Sequence, residues 1–203
     1  MMRPVIIFGR GGHARVIASL LNRDATFIDR DSEADFFGQV DSYRSADIFL
    51  GIGDDAIRRA LFAKLRSFEI VPATCVAPNA FVAKTASIGV GSVICPGAVV
   101  MTEAQIGMNA IVNTLSSVDH NCRIGDHTQI TVGVTLPGNV RVGDRCFFGV
   151  KSATFPDVSI GNDVIVRGGS LIVRDIPSNA VVGGNPARIK KTTMLAELRS
   201  ALD

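Results

Sequence analysis

Residues 118–143 read VDHNCRIGDHTQITVGVTLPGNVRVG, and this stretch decides the fold because an apolar residue returns at every sixth position. The register extends in both directions, from Ile88 to Ile172, and only Thr154 interrupts it. A small residue stands four positions after each member of this apolar column from Ile88 to Val166. A narrow coiled interior requires one column of bulky residues and one column of small residues. The period of six therefore predicts a parallel β-helix.

A longer period, of three six-residue segments, is marked by glycine. Its members are Gly89, Gly107, Gly125, Gly143 and Gly161. Three segments per coil give a triangular prism, in which equivalent residues of successive coils stack about 4.8 Å from each other. We expect glycine here because the chain makes a tight corner or adopts an unusual φ. Cys122 and Cys146 fall in the small inward column, which predicts that they are packing residues.

The beginning of the chain has a different pattern, in which short strands alternate with helices. Apolar runs predict strands at Val5–Phe8, Thr26–Ile28 and Ile48–Ile52. Helical spacing is present at 13–22 and 54–66. Strand and helix in this order predict a small parallel α/β sheet.

The change of period divides the chain into two predicted domains. Residues 1–72 are expected to form an α/β domain with a parallel sheet resembling half of a Rossmann fold. Residues 73–203 are expected to form the β-helix, and a short C-terminal helix at 194–202 is expected to cover one end of it.

Composition argues against several classes of protein. The net charge of the 203 residues is only +2, which points to neither nucleic acid nor a membrane surface as a partner. The chain has no Trp and one Tyr, so an aromatic platform for single strands is not expected. The first apolar run is too short for a signal peptide or a membrane span. The four cysteines lack CxxC spacing, which favours free thiols in a reducing cytoplasm.

A glycine loop follows the first predicted strand. It reads Gly9-x-Gly11-x-x-Ala14, and Asp29 stands at the twentieth position after Gly9. This is the spacing of a dinucleotide fingerprint, but a dehydrogenase needs two mononucleotide-binding halves and only one fits before the repeat. We therefore expect a smaller phosphate-binding site, in which glycines admit the ligand to the backbone and the helix N-terminus favours its phosphates.

Several segments occur in an order that resembles a known family: IFGRGGHA at 7–14, GIGD at 51–54, Asn113 and VDHNC at 118–122. The repeat resembles that of the left-handed β-helix, or hexapeptide-repeat, acyltransferases, and VVGGNPAR at 181–188 is similar to the segment that closes their helix. Together these motifs resemble bacterial enzymes that N-acetylate nucleotide-linked 4-amino-4,6-dideoxy sugars, with sialic acid O-acetyltransferases as close relatives. The resemblance implies acetyl-CoA as co-substrate, no metal, a nucleotide-sugar substrate for surface glycan biosynthesis, and a homotrimer with sites between subunits.

His120 is the predicted general base. It follows Asp119 and stands outside both interior columns, so its ring is expected to be accessible, and the ordinary pKa of histidine suits a base at neutral pH. The resembled family has an acidic residue directly after this histidine, thought to raise its basicity; here Asn121 takes that place. Gly138 lies one full coil beyond His120 and is expected to stack on it. In the family, the matching N–H donates to the thioester carbonyl.

The remaining acetyl-CoA contacts fall in another column. Val150 and Gly168 are also one coil apart, and the resemblance implies that they contact CoA through the backbone. Asn113, an expected substrate contact, lies next to that column rather than next to His120, so we expect the complete site to join the edges of two subunits. Gln129 stands where the family has a second histidine, and its amide can donate to CoA.

The resemblance also assigns substrate contacts in the N-terminal domain. The glycine loop would bind the sugar, and the ends of the next two strands would line the nucleoside. These predicted contacts are Gly11, Gly12, His13, Asp29, Arg30, Gly53 and Asp54. For Asp54, capping of the following helix is an equal alternative.

These features favour N-acetylation by direct attack in a ternary complex, since no nucleophile is expected near His120. An O-acetyltransferase acting on a sugar or sialic acid hydroxyl stays open as an alternative. A β-helix carbonic anhydrase would need zinc on three histidines, and His13 lies in the other domain. A non-catalytic sugar-nucleotide binding module is a further alternative. The sequence names neither the nucleotide base, the sugar nor the acyl chain.

Overall fold

The N-terminal residues form a small parallel sheet, as the sequence predicted, and its strand order is β2–β1–β3. The structure is a computed structural model that describes residues 3–192, so the helix expected at 194–202 lies outside the described residues. The strands are β1 (Val5–Phe8), β2 (Thr26–Ile28) and β3 (Asp47–Leu50), and the helices are α1 (Gly12–Leu21), α2 (Glu33–Gly38), a 3-10 turn (Val40–Tyr43) and α3 (Asp55–Ser67). Sequence reasoning missed α2 and the 3-10 turn, because each is too short to display a helical period.

From Cys75 onward, the described residues coil into a three-sided parallel β-helix, which confirms the fold predicted from the period of six. Each short strand pairs in parallel with the equivalent strand of the neighbouring coil, as Ile111 does with Val93. The first face consists of Cys75–Val76, Val93–Ile94, Ile111–Val112, Gln129–Ile130, Phe147–Phe148 and Ile165–Val166. The second face consists of Phe81–Val82, Val99–Val100, Ser117–Val118, Thr135–Leu136, Ala153–Thr154 and Leu171–Ile172. The third face consists of Ser87–Ile88, Gln105–Ile106, Arg123–Ile124, Arg141–Val142 and Ser159–Ile160.

The first face is closed at its far end by two longer strands. Ala180–Gly183 pairs in parallel with Ile165–Val166, and Arg188–Thr192 folds back antiparallel on it. The segment predicted to close the helix therefore ends the first face, because the antiparallel strand interrupts the parallel stack.

The two predicted columns fill the interior of the prism. Apart from the half-buried Ile88, no member of the apolar column is more than 5% exposed, and no member of the small column is more than 4% exposed. Cys122 and Cys146 point inward as expected, and burial raises the pKa of both thiols, that of Cys146 to about 12. These thiols therefore serve packing.

Of the two causes expected for the glycine column, a tight corner or an unusual φ, the structure excludes the second. None of its five members has a positive φ; the left-handed residues recur every six positions, from Gly91 to Gly169. An ideal Cβ on Gly107 would lie 2.5 Å from an Asp126 carboxylate oxygen and 2.7 Å from the Gly125 backbone. Glycine is required here because the next coil lies in contact, not because of its φ.

The N-terminal domain packs on the first face of the prism. Its α1 and sheet share an apolar cluster with Cys75, Val93 and Cys95. On the corner between the third and first faces, the Phe62 ring meets the His127 ring edge-on at 5.5 Å between centroids. The corner between the second and third faces, opposite the first face, is therefore the one farthest from this domain.

Candidate active site

His120 lies on the surface at the corner opposite the first face, and its ring stacks on Gly138 of the next coil. An ideal Cβ on Gly138 would be 2.3 Å from His120 Cε1 and 2.4 Å from Nε2. The two coils are joined there because the Asn139 N–H donates to the His120 carbonyl at 3.0 Å. The stacking expected from the length of one coil is present, and only glycine fits beneath the ring.

Two polar neighbours hold His120 in different ways. Asn121 Nδ2 lies 3.1 Å from His120 Nδ1, a distance at which the amide and the ring share a hydrogen bond. With the amide turned over, its oxygen accepts from Nδ1–H instead, and the tautomer decides between the two. Asp119 acts on the backbone: its Oδ1 accepts from the His120 N–H at 2.6 Å. The side chain that touches the ring is therefore a neutral amide.

At the corner between the third and first faces, backbone N–H groups donate to side chains of the next coil. The Met108 N–H donates to Asp126 Oδ1 at 2.7 Å, and the Asp126 N–H donates to Asp144 Oδ1 at 2.9 Å. One coil further, the Asp144 N–H donates to Asn162 Oδ1 at 2.8 Å. This ladder of side-chain acceptors leaves no backbone donor of these residues for a ligand.

The other two corners offer backbone donors. Within residues 3–192, the N–H groups of Gly138, Val150 and Gly168 have no acceptor. The first lies beside His120, and the other two stack at the corner between the first and second faces, where the Gly169 N–H donates to the Val150 carbonyl at 2.8 Å. Such donors suit a thioester oxygen or an amide carbonyl. Three of the predicted acetyl-CoA contacts, Gly138, Val150 and Gly168, thus lie at corners that keep unpaired backbone donors.

The predicted residues are split between corners of one chain. Asn113 is half-buried at the corner of Val150, and its Oδ1 accepts from the Thr114 N–H at 2.7 Å. Gln129 is half-buried in the first face. Neither lies at the corner of His120, so a single prism does not bring the predicted acetyl-CoA and substrate residues together.

The predicted nucleotide contacts converge at the carboxyl ends of the three parallel strands. The Gly9 N–H donates to the Ile28 carbonyl at 2.7 Å, and the Gly51 N–H donates to the Phe8 carbonyl at 2.8 Å. These bonds tie the loops after β1, β2 and β3 to one edge, the place where ligands bind in open parallel sheets.

The N-terminus of α1 faces open space at this edge. An ideal Cβ on Gly11, Gly12 or Gly53 would meet nothing within 4 Å. The helix begins with Gly11 as its N-cap and no side chain caps it. Its free backbone N–H groups and dipole therefore favour an anion such as a phosphate.

Asp29 is held in a hydrogen-bonded network at the end of β2. Ser32 donates to Asp29 Oδ1 from its N–H at 3.0 Å and from its hydroxyl at 2.8 Å, and Arg10 Nε donates to Oδ2 at 2.7 Å. Ser32 first, and then Arg10, lower the pKa of Asp29 to about 2, so it is ionised at neutral pH. Arg30 is exposed beside it. Sequence reasoning missed Arg10, although it lies inside the glycine loop.

Asp54 caps α3. Its Oδ1 accepts from the backbone N–H groups of Ala56 and Ile57, both at 2.9 Å. The capping role that the sequence left open is therefore present, and contact with a nucleoside stays a prediction.

Arg58 is a second residue that sequence reasoning missed. It is 1% exposed, and its guanidinium donates to the Ile52 carbonyl at 3.0 Å and to the Gly53 carbonyl at 3.1 Å. A signal was present, because Arg58 shares helical spacing with buried Leu61 and Leu65 and puts a charge on an apolar stripe.

The three histidines lie in three separate places. His13 is in the first turn of α1, His120 is at its exposed corner, and His127 Nδ1 lies 2.8 Å from Asn109 Nδ2 at the corner that faces α3. Among residues 3–192, no group of three His, Cys, Asp or Glu side chains is arranged to hold a metal ion. In the same part of the chain, no helix has the length and apolar character needed to cross a membrane.

Comparison with known proteins places both halves of the chain. Residues 4–65 match the family described as the PglD N-terminal domain. The crystal structure of PerB from Caulobacter crescentus, in complex with CoA and GDP-perosamine, is 31% identical, covers 94% of this chain and 99% of its own, and gives a TM-score of 0.88. The acetyltransferase domain of PglB from Neisseria gonorrhoeae, in complex with acetyl coenzyme A, is 28% identical over 92% of this chain and 98% of its own, with a TM-score of 0.85.

A curated relative matches a shorter segment. The putative acetyltransferase YvoF of Bacillus subtilis is 44% identical over 41 residues, which is 20% of this chain and 24% of that protein. The chain therefore spans about a quarter of the length of this relative, and the likeness is local where the two solved structures match almost throughout.

Proposed function

The chain belongs to the hexapeptide-repeat, left-handed β-helix sugar N-acetyltransferases, and we propose that it transfers the acetyl group of acetyl-CoA to the 4-amino group of a nucleotide-linked 4-amino-4,6-dideoxy sugar. The stack of His120 on Gly138 carries this proposal, because it brings a base and a backbone donor to one point. The GDP-perosamine bound to PerB supports a nucleotide-linked amino sugar as the substrate. Both co-substrates are cytoplasmic metabolites, so we place the reaction in the cytoplasm, as a step of surface glycan biosynthesis.

The reaction proceeds by direct attack in a ternary complex. The sugar amine attacks the thioester carbonyl carbon, and the carbonyl oxygen becomes an oxyanion that accepts from the Gly138 N–H. His120 removes the proton that the attacking nitrogen gives up. The C–S bond then breaks, the CoA thiolate leaves and takes the proton from the imidazolium, and the amide and neutral His120 remain.

An acyl-enzyme has no support in the residues around His120. Cys122, two positions along the chain, is 0% exposed inside the prism, and burial raises the pKa of its thiol. A buried, protonated thiol is a poor nucleophile. Direct transfer between the two bound substrates therefore fits the site.

Asn121 would orient the His120 ring but, as a neutral amide, places no charge beside it. When the amide oxygen accepts from Nδ1–H, the Nε2 lone pair of His120 is free to take a proton. A carboxylate in this place would also stabilise the imidazolium, which an amide does far less. Asn121 is thus the side chain placed to orient the His120 ring.

The other corner binds the body of acetyl-CoA. The unpaired N–H groups of Val150 and Gly168 lie in directly stacked coils, and they would donate to the amide carbonyls of the pantetheine arm. Gln129 would add a side-chain hydrogen bond from the first face.

The nucleotide sugar binds at the carboxyl edge of the small sheet. Gly11, Gly12 and His13 would hold the phosphates and sugar over the N-terminus of α1. Asp29, Arg30, Gly53 and Asp54 would line the nucleoside. Open space over the glycines and the uncapped helix support this placement.

A homotrimer completes the site. His120 and the Asn113–Val150–Gly168 group occupy different corners, so a neighbouring chain would supply the missing corner. Leu115 supports this corner as the contact, because it is 70% exposed and has a φ of 57°. A large apolar side chain that is both exposed and in the left-handed region carries two costs that burial in an interface would offset.

Substitution of His120 tests the proposal. His120→Ala and His120→Asn should each lower kcat by about 10²-fold or more, as loss of a general base does, while acetyl-CoA binding by calorimetry stays unchanged. Arg123→Ala, an exposed neighbour on the third face, is the matched control and should keep wild-type kcat. Wild-type turnover in both His120 variants would refute the assigned base.

A further inference from the structure

Arg58 is a buried cation with unused hydrogen-bond donors. One amino group of its guanidinium binds two carbonyls, while Nε and the other amino group are buried with no acceptor among residues 3–192. Buried donors without partners are costly. Burial lowers the pKa of Arg58 to about 10, against the opposing effect of Asp55 and Asp54, so the side chain is still a cation at neutral pH. The placement of this charge therefore needs a reason.

The second buried group without a hydrogen-bond partner belongs to His13. Its Nε2 is also buried and has no hydrogen-bond partner in the described part of the chain. Nδ1 is consequently the ring nitrogen left for a ligand over the glycine loop. Burial first, and then the Arg58 cation, lower the pKa of His13 to about 4, so the ring is neutral at physiological pH.

The loop after β3 contacts both Arg58 and the start of α1, where His13 lies. An ideal Cβ on Gly51 would lie 2.6 Å from the Cα of Ala14, the residue after His13, so the first turn of α1 packs directly on Gly51. Arg58 binds the next two carbonyls, those of Ile52 and Gly53. Arg58, this loop and the start of α1 therefore form one packed unit.

His13 Nε2 and two nitrogens of the Arg58 cation are thus buried without hydrogen-bond partners in this described part of the domain. A guanidinium has only N–H donors, so a neutral imidazole turns a lone pair toward it and carries its proton on the other nitrogen. Nε2 is then the acceptor and Nδ1–H the donor. A neutral N–H donor at a helix N-terminus suits a phosphate or sugar oxygen.

We propose that Arg58 is a positioning residue of the nucleotide-sugar site, which holds His13 against the glycine loop as the Nδ1–H tautomer so that it donates to the diphosphate. This inference rests on the proposed function, which assigns His13 to the nucleotide sugar. Charged groups of α3 and of the adjoining β-helix corner surround this unit. Asp54 and Asp55 of α3 act on Arg58, and Arg58 acts on His13 and on His127 of the β-helix, which Arg59, Asp126 and Asp144 also affect.

Nitrogen NMR of the labelled full chain tests the tautomer without any substrate. In the wild type, His13 should show a protonated Nδ1 and stay neutral from pH 8 down to pH 5. In Arg58→Met, the ring should lose its single tautomer and titrate closer to the ordinary histidine pKa. Arg59→Met is the matched control, which should alter the titration of His127 and leave that of His13 unchanged. A protonated Nε2 in the wild type, or no change in Arg58→Met, would overturn the proposal.

Substitution of His13 gives a second test that does not depend on the folding of Arg58→Met. Asparagine places an N–H near Nδ1, whereas glutamine places one near Nε2. The nucleotide-sugar KM should rise about tenfold more in His13→Gln than in His13→Asn, as the loss of one hydrogen bond predicts, with the acetyl-CoA KM unchanged in both. Arg58→Lys, which keeps the cation, should restore part of the KM lost in Arg58→Met. The reverse order of the His13 variants would contradict the tautomer, whereas absence of acetyl transfer in the wild type would contradict the proposed function alone.

Discussion

The imidazole of His120 and the backbone of Gly138 are in direct contact, so close that a Cβ on the glycine would lie 2.3 Å from Cε1. This contact fixes the distance between the proposed base and an N–H without an acceptor within residues 3–192. It arises because a coil contains three six-residue segments, and the spacing of the repeat therefore places the two groups of the proposed mechanism together.

Gly138→Ala should displace the His120 ring. We expect kcat to fall about 10²-fold, because a misplaced base loses most of its effect, and the free energy of unfolding to fall by about 1–3 kcal/mol from overpacking. Steady-state kinetics and denaturant unfolding measure the two effects. Gly38→Ala is the control, since a Cβ there meets nothing within 4 Å. Full activity in Gly138→Ala would contradict the assigned geometry.

Asn121→Asp should shift the pH dependence of catalysis. A carboxylate beside the ring stabilises the imidazolium, so His120 would stay protonated, and inactive as a base, up to a higher pH. The acidic limb of the kcat/KM profile should therefore move upward by about one pH unit. Residue 121 has a φ of 59°, which aspartate tolerates as asparagine does, so the backbone should not change. Superimposable profiles would show that residue 121 does not tune the base.

Asp54→Ala should destabilise the N-terminal domain by about 1 kcal/mol, the usual cost of losing an N-cap. Asp54→Asn keeps an acceptor oxygen and should restore stability in denaturant unfolding. The same pair of variants separates capping from ligand contact: a raised nucleotide-sugar KM in Asp54→Asn, where the cap is intact, would identify direct contact with the nucleoside.

His13 should make stability depend on pH. Its folded pKa of about 4 lies below the ordinary 6.5, so the unfolded chain binds a proton first as the pH falls. Stability is complete above pH 6.5 and is lost progressively toward pH 4, by about 2 kcal/mol at pH 5. His13→Asn lacks this titration, so its unfolding free energy should fall less between pH 7.5 and pH 5. Parallel pH profiles for the two proteins would contradict the depressed pKa.

Mixed trimers should reveal sites shared between subunits. His120→Ala and Asn113→Ala chains are each expected to be inactive as homotrimers. Co-expressed at equal levels, they should regain about a quarter of wild-type activity, because one site in four would draw both intact residues from different chains. Activity no higher than that of the separate variants would place His120 and Asn113 in one chain's site, and sedimentation of an active monomer would also exclude the trimer.

The six-residue repeat predicted most of the fold because each of its positions has the same environment in every coil. An interior column must be apolar or small at every turn, so the columns that contain Leu136 and Cys122 were visible in the sequence. The end of β1 was equally visible, since Gly9 follows a buried run, whereas β3 ends at Leu50, two residues before the predicted end at Ile52. The closeness of Gly138 to His120 followed from counting residues.

The remaining features depend on contacts that no single segment records. Arg58 was missed because helical spacing indicates only that position 58 is buried, and not that its guanidinium binds the Ile52 and Gly53 carbonyls just before α3. The side-chain ladder that begins with Asp126 and Asp144 decides which corner keeps unpaired N–H groups, and a period of six does not distinguish between corners.

Analysis of the reaction product tests the central claim most directly. The protein would be incubated with acetyl-CoA and, in turn, UDP-, dTDP- and GDP-linked 4-amino-4,6-dideoxy sugars, with the matching 4-hydroxy sugars as controls. We predict that at least one amino sugar gains a single acetyl group, that the new bond resists hydroxylamine as an amide does, and that the hydroxy sugars are not acetylated. A hydroxylamine-labile ester, or acetylation of the hydroxy sugars alone, would contradict the assignment as an N-acetyltransferase.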